Sequence, residues 1–227
     1  NTNTTATFNL TSIPTATVTA TVSTSTPDEC SVSPANLTIT DMSAQSVTIT
    51  GVDDLMADGT QTCNISVSFA GATEYVAVTY TAGINVTNNN TASIAIAPNT
   101  PANIAEGGTQ AYTFTLGSLP TAPMSFTVST ANAQCSVAPA TVTLNNTNWN
   151  TGASVTVTGT VESLTDGNQG CDLITAAATG APEYAGMNPP DATITVIDDD
   201  TPNYAVTTSF TSLLEGESGT VLVSLLT

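Results

Sequence analysis

Apolar and polar residues alternate along most of this chain. Val, Ile and Ala are interleaved with Thr in the stretches ATVTATVST (16–24), SVTITGV (46–52), ASVTVTGTV (153–161) and ATITVID (192–198). Alternation with a period of two is typical of half-buried strands, and Val and Thr both favour strands. No window shows a sustained helical period. The pattern therefore predicts an all-β protein.

Several short motifs occur twice, roughly 110 residues apart. CSVSPANLTIT at 30–40 returns as CSVAPATVTLN at 135–145, and DGTQTC at 58–63 returns as DGNQGC at 166–171. A copy of this length, with about seven short strands separated by Gly, Pro and Asn turns, suits an antiparallel β-sandwich of immunoglobulin type. The chain is thus predicted to consist of tandem β-sandwich repeats.

A third copy begins near the end of the chain, where EGESGTVLVSL (215–225) matches EGGTQAYTFTL (106–116). The repeats predict a first β-sandwich over 1–92, which lacks its N-terminal EGG segment. A complete second sandwich is predicted over 93–202, and the first strands of a third over 203–227.

The apolar stretch TVLVSLL (220–226) follows in the third copy with no further domain to cover it. An exposed apolar edge strand invites pairing with another chain. One interpretation is that the protein continues and that this chain is a fragment of a longer repeat array. The other is that this strand is donated to a neighbouring copy, which would give a head-to-tail fibre. The donated residues would then be Val221, Leu222, Val223 and Leu225.

The absence of cationic side chains argues against several classes of function. The 227 residues include 18 Asp and Glu but no Lys, Arg or His, so the net charge is −18. Nucleic-acid binding and attraction to anionic membranes both depend on cationic side chains, so neither is expected. A His base and a Lys Schiff base are ruled out, and we expect neither an enzyme nor a small-molecule substrate. No apolar run is long enough for a membrane helix, so no membrane insertion is expected.

Four cysteines occur, two at equivalent places in each copy. The repeat predicts the disulfides Cys30–Cys63 and Cys135–Cys171, and free buried thiols are the alternative. Zinc is disfavoured, because two thiols per copy with no His do not make a zinc site. Disulfides imply an oxidising compartment, so the protein is expected outside the cell or on its surface.

The second copy resembles a bacterial Calx-β-type repeat. The resemblance lies in the order of four segments, EGGTQAYTFTLGSLPTAPMSFTVST (106–130), SVAPATVTLNNTNWNTGASVTVTGTVE (136–162), DGNQ (166–169) and PEYAGMNPPDATITVIDDD (182–200). The family is named for the calcium-binding domains of sodium–calcium exchangers. The resemblance implies an antiparallel β-sandwich that holds calcium at one end.

By position, the resemblance implies a calcium site built from an early Glu, a mid-domain loop and the final acidic run. Calcium takes six to eight oxygen ligands, many of them carboxylates. With no cationic side chain available, a divalent cation would neutralise the adjacent carboxylates. The alternative is that the acidic run is a solvated linker. The implied ligands are Glu106, Glu162, Asp166, Asp198, Asp199 and Asp200.

The first copy departs from this pattern, because the acidic run is replaced by Asn88, Asn89 and Asn90. Amide oxygens can bind calcium but contribute no charge, so any calcium site there should be weaker. Its loop still offers Asp53, Asp54 and Asp58. We therefore expect the chain near residue 90 to be held by packing and hydrogen bonds, and the chain near residue 200 to depend on a cation.

These features together predict a structural component of an extracellular bacterial fibre or giant repetitive surface protein. Its partners would be copies of itself or neighbouring repeats of one long chain. Two alternatives are the stalk of an adhesin and a calcium-responsive binding module.

Overall fold

A computed structural model describes residues 3–226, which contain strands and no helix. The prediction of an all-β protein is confirmed. No helix that could cross a membrane occurs in this part of the chain. The chain divides into two compact units, Asn1–Thr91 (unit 1) and Ala92–Thr227 (unit 2).

Unit 1 contains two antiparallel sheets. One has the strand order β1-β5-β3 and the other β4-β2-β6-β7. The strands are β1 (Asn3–Phe8), β2 (Val18–Thr24), β3 (Cys30–Ser33), β4 (Asn36–Ile39), β5 (Gln45–Gly51), β6 (Gln61–Ala70) and β7 (Thr79–Val86).

Unit 2 contains sheets of order β12-β14-β10-β8, β13-β11-β16 and β15-β17-β9, and a separate β18-β19 hairpin. All pairings are antiparallel except β9 with β17, which is parallel. The strands are β8 (Ile94–Ala97), β9 (Ala102–Ala105), β10 (Thr109–Leu116), β11 (Met124–Thr130), β12 (Cys135–Ala138), β13 (Thr141–Leu144), β14 (Ala153–Gly159), β15 (Gln169–Gly170), β16 (Leu173–Thr175), β17 (Ile194–Ile197), β18 (Asn203–Thr208) and β19 (Val221–Leu226).

The pairings of unit 1 recur in unit 2 with the same register. Phe8 of β1 lies opposite Gln45 of β5, and Phe114 of β10 lies opposite Ala153 of β14. By the same correspondence β2, β4 and β6 match β11, β13 and β16, and β7 matches β17. Each residue of unit 1 in these strands therefore has a defined counterpart in unit 2.

The predicted alternation places one face of each sheet in a core. Val18, Ala20 and Val22 of β2 are buried, whereas Thr19 and Thr21 between them are exposed. Each unit has one core cluster to which separate sheets contribute buried side chains, as expected of a β-sandwich. The Thr-rich alternation thus encodes both the strands and the faces that pack.

Each unit contains one disulfide, which joins β3 to β6 in unit 1 and β12 to the residue that follows β15 in unit 2. Cys30 bonds to Cys63 and Cys135 bonds to Cys171, the pairs that the repeat predicts. All four residues are buried, and none of the four is free.

A buried tyrosine hydroxyl binds Ser118 in unit 2. The Tyr184 hydroxyl lies 2.6 Å from the Ser118 carbonyl oxygen, to which it donates, and 2.7 Å from the Ser118 hydroxyl, and it accepts from the Ser118 amide. In unit 1 the Tyr75 hydroxyl makes similar bonds to Ser12, but in a solvent-exposed position. The same Tyr–Ser contact is therefore buried in unit 2 and solvent-exposed in unit 1.

Replacing Tyr184 by Phe should destabilise unit 2 more than Tyr75→Phe destabilises unit 1. Tyr184→Phe leaves buried Ser118 groups without a partner, which costs about 1–3 kcal/mol. The groups that Tyr75→Phe releases can bind water instead, so its cost should be about 1 kcal/mol or less. Calorimetric unfolding of both variants measures the difference. Equal losses would show that burial of this contact does not matter.

Candidate metal centres

Three carboxylates converge at one end of unit 2. The parallel pairing of β9 with β17 ends with Ala105 opposite Ile197. Glu106 and Asp198 are the next residues of the two strands, so they leave the sheet side by side. Carboxylate oxygens of Glu106, Asp198 and Asp200 all lie within 4.8 Å of one another. We call these three residues the unit 2 cluster.

Backbone amides bind part of this cluster. Glu106 Oε2 accepts a hydrogen bond from the Glu162 amide at 2.9 Å, and Asp198 Oδ2 accepts one from the Gly167 amide at 2.7 Å. Asp198 Oδ1 accepts from the Asp200 amide at 2.8 Å. Asp200 Oδ2 is buried and has no hydrogen-bond partner among the described residues. A buried oxygen that lacks a partner is costly, and a cation at this position could satisfy it.

Electrostatic repulsion acts on the loop beside the cluster. The pKa of Glu162 is raised above its ordinary value by burial, and further by Asp166, Glu106, Asp198 and Asp200. No Lys, Arg or His exists in the sequence to offset this negative charge. The local field therefore favours a bound cation.

The predicted ligands separate into two groups. Glu106, Asp198 and Asp200 form the cluster, whereas Glu162 and Asp166 lie on the neighbouring loop and are not part of the group of three. Asp199 is exposed and is also outside the group. A metal at the cluster would use the first three, with the loop residues nearby.

Unit 1 has an acidic cluster at the corresponding end. Carboxylate oxygens of Glu29, Asp54 and Asp58 lie within 4.8 Å of one another, and they are called the unit 1 cluster. The pKa of Glu29 is raised by burial and then by Asp58, Asp54 and Asp28. Asp53, the third acidic residue predicted in this loop, lies outside the group.

Glu29 is a member that the sequence reasoning missed. It directly precedes Cys30, and Asp58 opens the DGTQTC motif that contains Cys63. The Cys30–Cys63 disulfide therefore brings Glu29 and the loop together. The predicted disulfide was the signal that could have identified it.

The three asparagines of unit 1 occupy the place of the acidic run. Asn88 Nδ2 donates to Asp58 Oδ1 at 3.0 Å, and Asn89 Nδ2 donates to Asp53 Oδ1 at 3.0 Å. Asn90 Nδ2 donates to the Asp54 carbonyl oxygen at 2.9 Å. These side chains satisfy loop acceptors with neutral donors, which the carboxylates of unit 2 cannot do.

Chemically, both clusters offer hard oxygen ligands. All four cysteines are in disulfides, so the described carboxylates are the residues suited to hold an ion. Calcium prefers such oxygens, and several carboxylates in one place raise its affinity. The donor set of unit 2 fits calcium better, because its buried Asp200 oxygen has no competing donor.

Comparison with known proteins gives only distant similarity. No protein-family model matches the sequence, and no curated protein matches it either. Domains 4 and 5 of the S-layer protein SbsC match at 16% identity and a TM-score of 0.35, covering 79% of this chain and 70% of that one. The calcium binding domain CBD12 of CALX1.1 matches at 10% identity and a TM-score of 0.39, covering 85% and 92%. Scores this low assign neither a family nor a function.

Proposed function

We propose that the protein is a structural component of an extracellular fibre or repetitive surface protein. The main support for this proposal is that the same strand register occurs in two units. Each unit also contains its own buried disulfide. Units that share one register and have their own disulfide can be repeated along a chain. The disulfides support this location, because such bonds persist in oxidising compartments.

The proposal includes a calcium ion in unit 2. Glu106, Asp198 and Asp200 would ligate it, and Glu162 or Asp166 would complete its shell from the loop. A bound divalent ion would offset the mutual repulsion of these carboxylates and satisfy the buried oxygen of Asp200. It would also stiffen the chain where residues 198–202 lead into β18.

Calcium should be weaker at the unit 1 cluster. There the Asp58 carboxylate already accepts a hydrogen bond from Asn88, and the neighbouring Asp53 carboxylate accepts one from Asn89. A cation would have to compete with the Asn88 donor for the Asp58 carboxylate. Unit 1 is therefore proposed to be held by amide hydrogen bonds in place of metal.

Electron microscopy of the full chain in calcium-containing buffer tests the structural role. We expect extended filaments whose subunits repeat regularly along the axis. Light scattering should show an assembly that grows with protein concentration. A protein that stays monomeric at every concentration would contradict the fibre proposal, and the calcium site would then need its own test.

A further inference from the structure

Unit 1 has an open cleft between its two sheets. In unit 2, β8 pairs with β10 and β9 pairs with β17, so this stretch of chain covers the edges of both sheets. Residues 3–91 include no counterpart of β8 or β9. The strands that match β10 and β17, namely β1 and β7, are consequently edge strands.

Two cavities lie along the course of the missing strands. A cavity of about 630 Å³ is lined by residues 6–10 of β1 and its extension and by Ile84 of β7. A second, of about 220 Å³, is lined by Asn85, Val86 and Thr87. Residues 7–10 and 84–87 match those that pair with β8 and β9 in unit 2. The cleft therefore has the position and the length of a strand.

Side chains along the cleft are less covered than their counterparts. Phe8 and Ile84 are only partly buried, whereas Phe114 and Ile194 in unit 2 have no exposed surface. Tyr80, which lines the larger cavity, is 56% exposed. Apolar surface in an edge cleft of this kind is typical of sites that accept a strand.

A glycine that lies against β9 in unit 2 has a glycine counterpart in unit 1. In unit 2 a Cβ atom on Gly159 would lie 2.8 Å from the Ala105 carbonyl oxygen of β9, so only glycine leaves room for that strand. The counterpart in unit 1 is Gly51, which lines the smaller cavity. Unit 1 therefore keeps the space that close approach of a strand requires.

The segment Asn203–Leu214 carries the side chains that would fill this cleft. Its β18 pairs with β19 in the register in which β8 pairs with β10, so Tyr204 and Val206 match Ile94 and Ile96. The motifs EGG and EGE that follow align Leu213 with Ile104.

Exposure separates the two sets of residues. Ile96 and Ile104 are 5% exposed in unit 2. Tyr204, Val206 and Leu213 are 66%, 52% and 46% exposed. The C-terminal segment therefore has the side chains of a covering strand without the partner that would bury them.

Charge also favours this occupant. Residues 203–214 contain no Asp or Glu, although the chain carries a net charge of −18. The residues that line the two cavities are uncharged as well. An acidic partner segment would leave a carboxylate buried without a counter-ion, whereas this segment buries none.

We propose that segment 203–214 of one copy fills the cleft of unit 1 in a second copy. Residues 204–207 would pair antiparallel with residues 7–10, and residues 211–214 would pair parallel to residues 84–87, as β8 and β9 do in unit 2. The inference deepens the proposed fibre function, on which it rests. It places the donated strand before Val221–Leu225, the stretch that the sequence predicts.

Docking requires β18 to exchange β19 for β1 of the next copy. Both pairings use the same edge of β18, since β8 uses that edge for β10 in unit 2. The β18-β19 hairpin pairs with no other strand of residues 3–226, and an isolated two-stranded hairpin is marginally stable in water. Breaking the β18-β19 pairing should therefore cost less free energy than burial of the apolar side chains in the cleft provides.

A fluorescently labelled peptide of residues 203–214 is the first test. It should bind the full chain and suppress its assembly, because it caps the cleft. The Val206→Asp peptide should bind on the order of 100-fold more weakly, because it buries an unpaired carboxylate. The Thr207→Asp peptide adds the same charge on the opposite face and should bind like the natural sequence. Absence of peptide binding would overturn the docking mode.

The second test is light scattering of full-chain variants. Val206→Asp should stay monomeric under conditions in which the natural chain and Thr207→Asp assemble. Both positions are exposed in the single chain, so Trp149 fluorescence should show unchanged unfolding of unit 2.

The outcomes separate the two proposals. If Val206→Asp assembles normally, the docking mode is wrong and the fibre proposal stands. If the natural chain remains monomeric and does not bind the peptide, both proposals fail. A segment that precedes residue 1 in a longer chain could also fill the cleft. Native material should then fail to bind the peptide, and Val206→Asp should leave its assembly unchanged.

Discussion

Replacing Cys135 and Cys171 together by alanine should lower the free energy of unfolding of unit 2 by about 4 kcal/mol. The disulfide closes a sequence separation of 36 residues, and the entropy that it removes from the unfolded chain grows with that length. Both sulfurs are buried in the core, so their loss also removes packing. An effect of this size is a large part of the stability of a small domain.

Trp149 makes this effect measurable in unit 2 alone. It is the single tryptophan of the chain and packs against the unit 2 core. The matched control is the double alanine variant of Cys30 and Cys63, whose bond closes a similar separation of 33 residues in unit 1. It should leave the Trp149 transition in place and lower the other calorimetric transition. A loss below about 1 kcal/mol in both variants would show that the disulfides do not stabilise the units.

The strands could be predicted because Thr-rich alternation leaves few other choices. A stretch such as β2 has no helical period, and its apolar residues can share a core only if it is extended. The short strands β8 and β9 were not predicted individually. Each has four residues, and the parallel pairing of β9 depends on a strand about 90 residues later in the chain. Local patterns contain no information about such a partner.

The acidic run illustrates what a linear motif leaves out. Asp198, Asp199 and Asp200 are equivalent in the sequence, but adjacent residues of an extended chain point to opposite sides. Asp198 and Asp200 therefore join Glu106, and Asp199 points to solvent. The same rule separates Asp54 from Asp53 in unit 1. Applying the period of two to the motif itself would have selected Asp198 and Asp200, the two residues that lie within the cluster.

Calcium should raise the thermal midpoint of unit 2, and chelation should lower it. A ligand at about 100 times its Kd stabilises the folded state by roughly 3 kcal/mol. The Trp149 transition should therefore move to lower temperature in chelator, while the unit 1 transition changes much less. An unchanged Trp149 midpoint would contradict a calcium site at the unit 2 cluster.

Asp200→Asn should remove most of this calcium dependence. Without calcium the variant should be more stable than the natural chain by about 1–2 kcal/mol, because it removes one of three carboxylates that repel within a few ångströms. Its amide can also donate to a neighbouring carboxylate, as Asn88 does to Asp58 in unit 1. With calcium it should gain little, because a charged ligand is gone. Unfolding with and without chelator, followed by Trp149, measures both effects.

The control is Asp199→Asn, which removes the same charge from an exposed position outside the cluster. It should change the free energy of unfolding in chelator by no more than a few tenths of a kcal/mol, since exposed charges are screened. The stabilisation of unit 2 by calcium should change by equally little. If Asp200→Asn and Asp199→Asn behave alike, the acidic run acts only through its total charge. If they differ as expected, the clustered carboxylates are stabilised by amide donors in unit 1 and by a cation in unit 2.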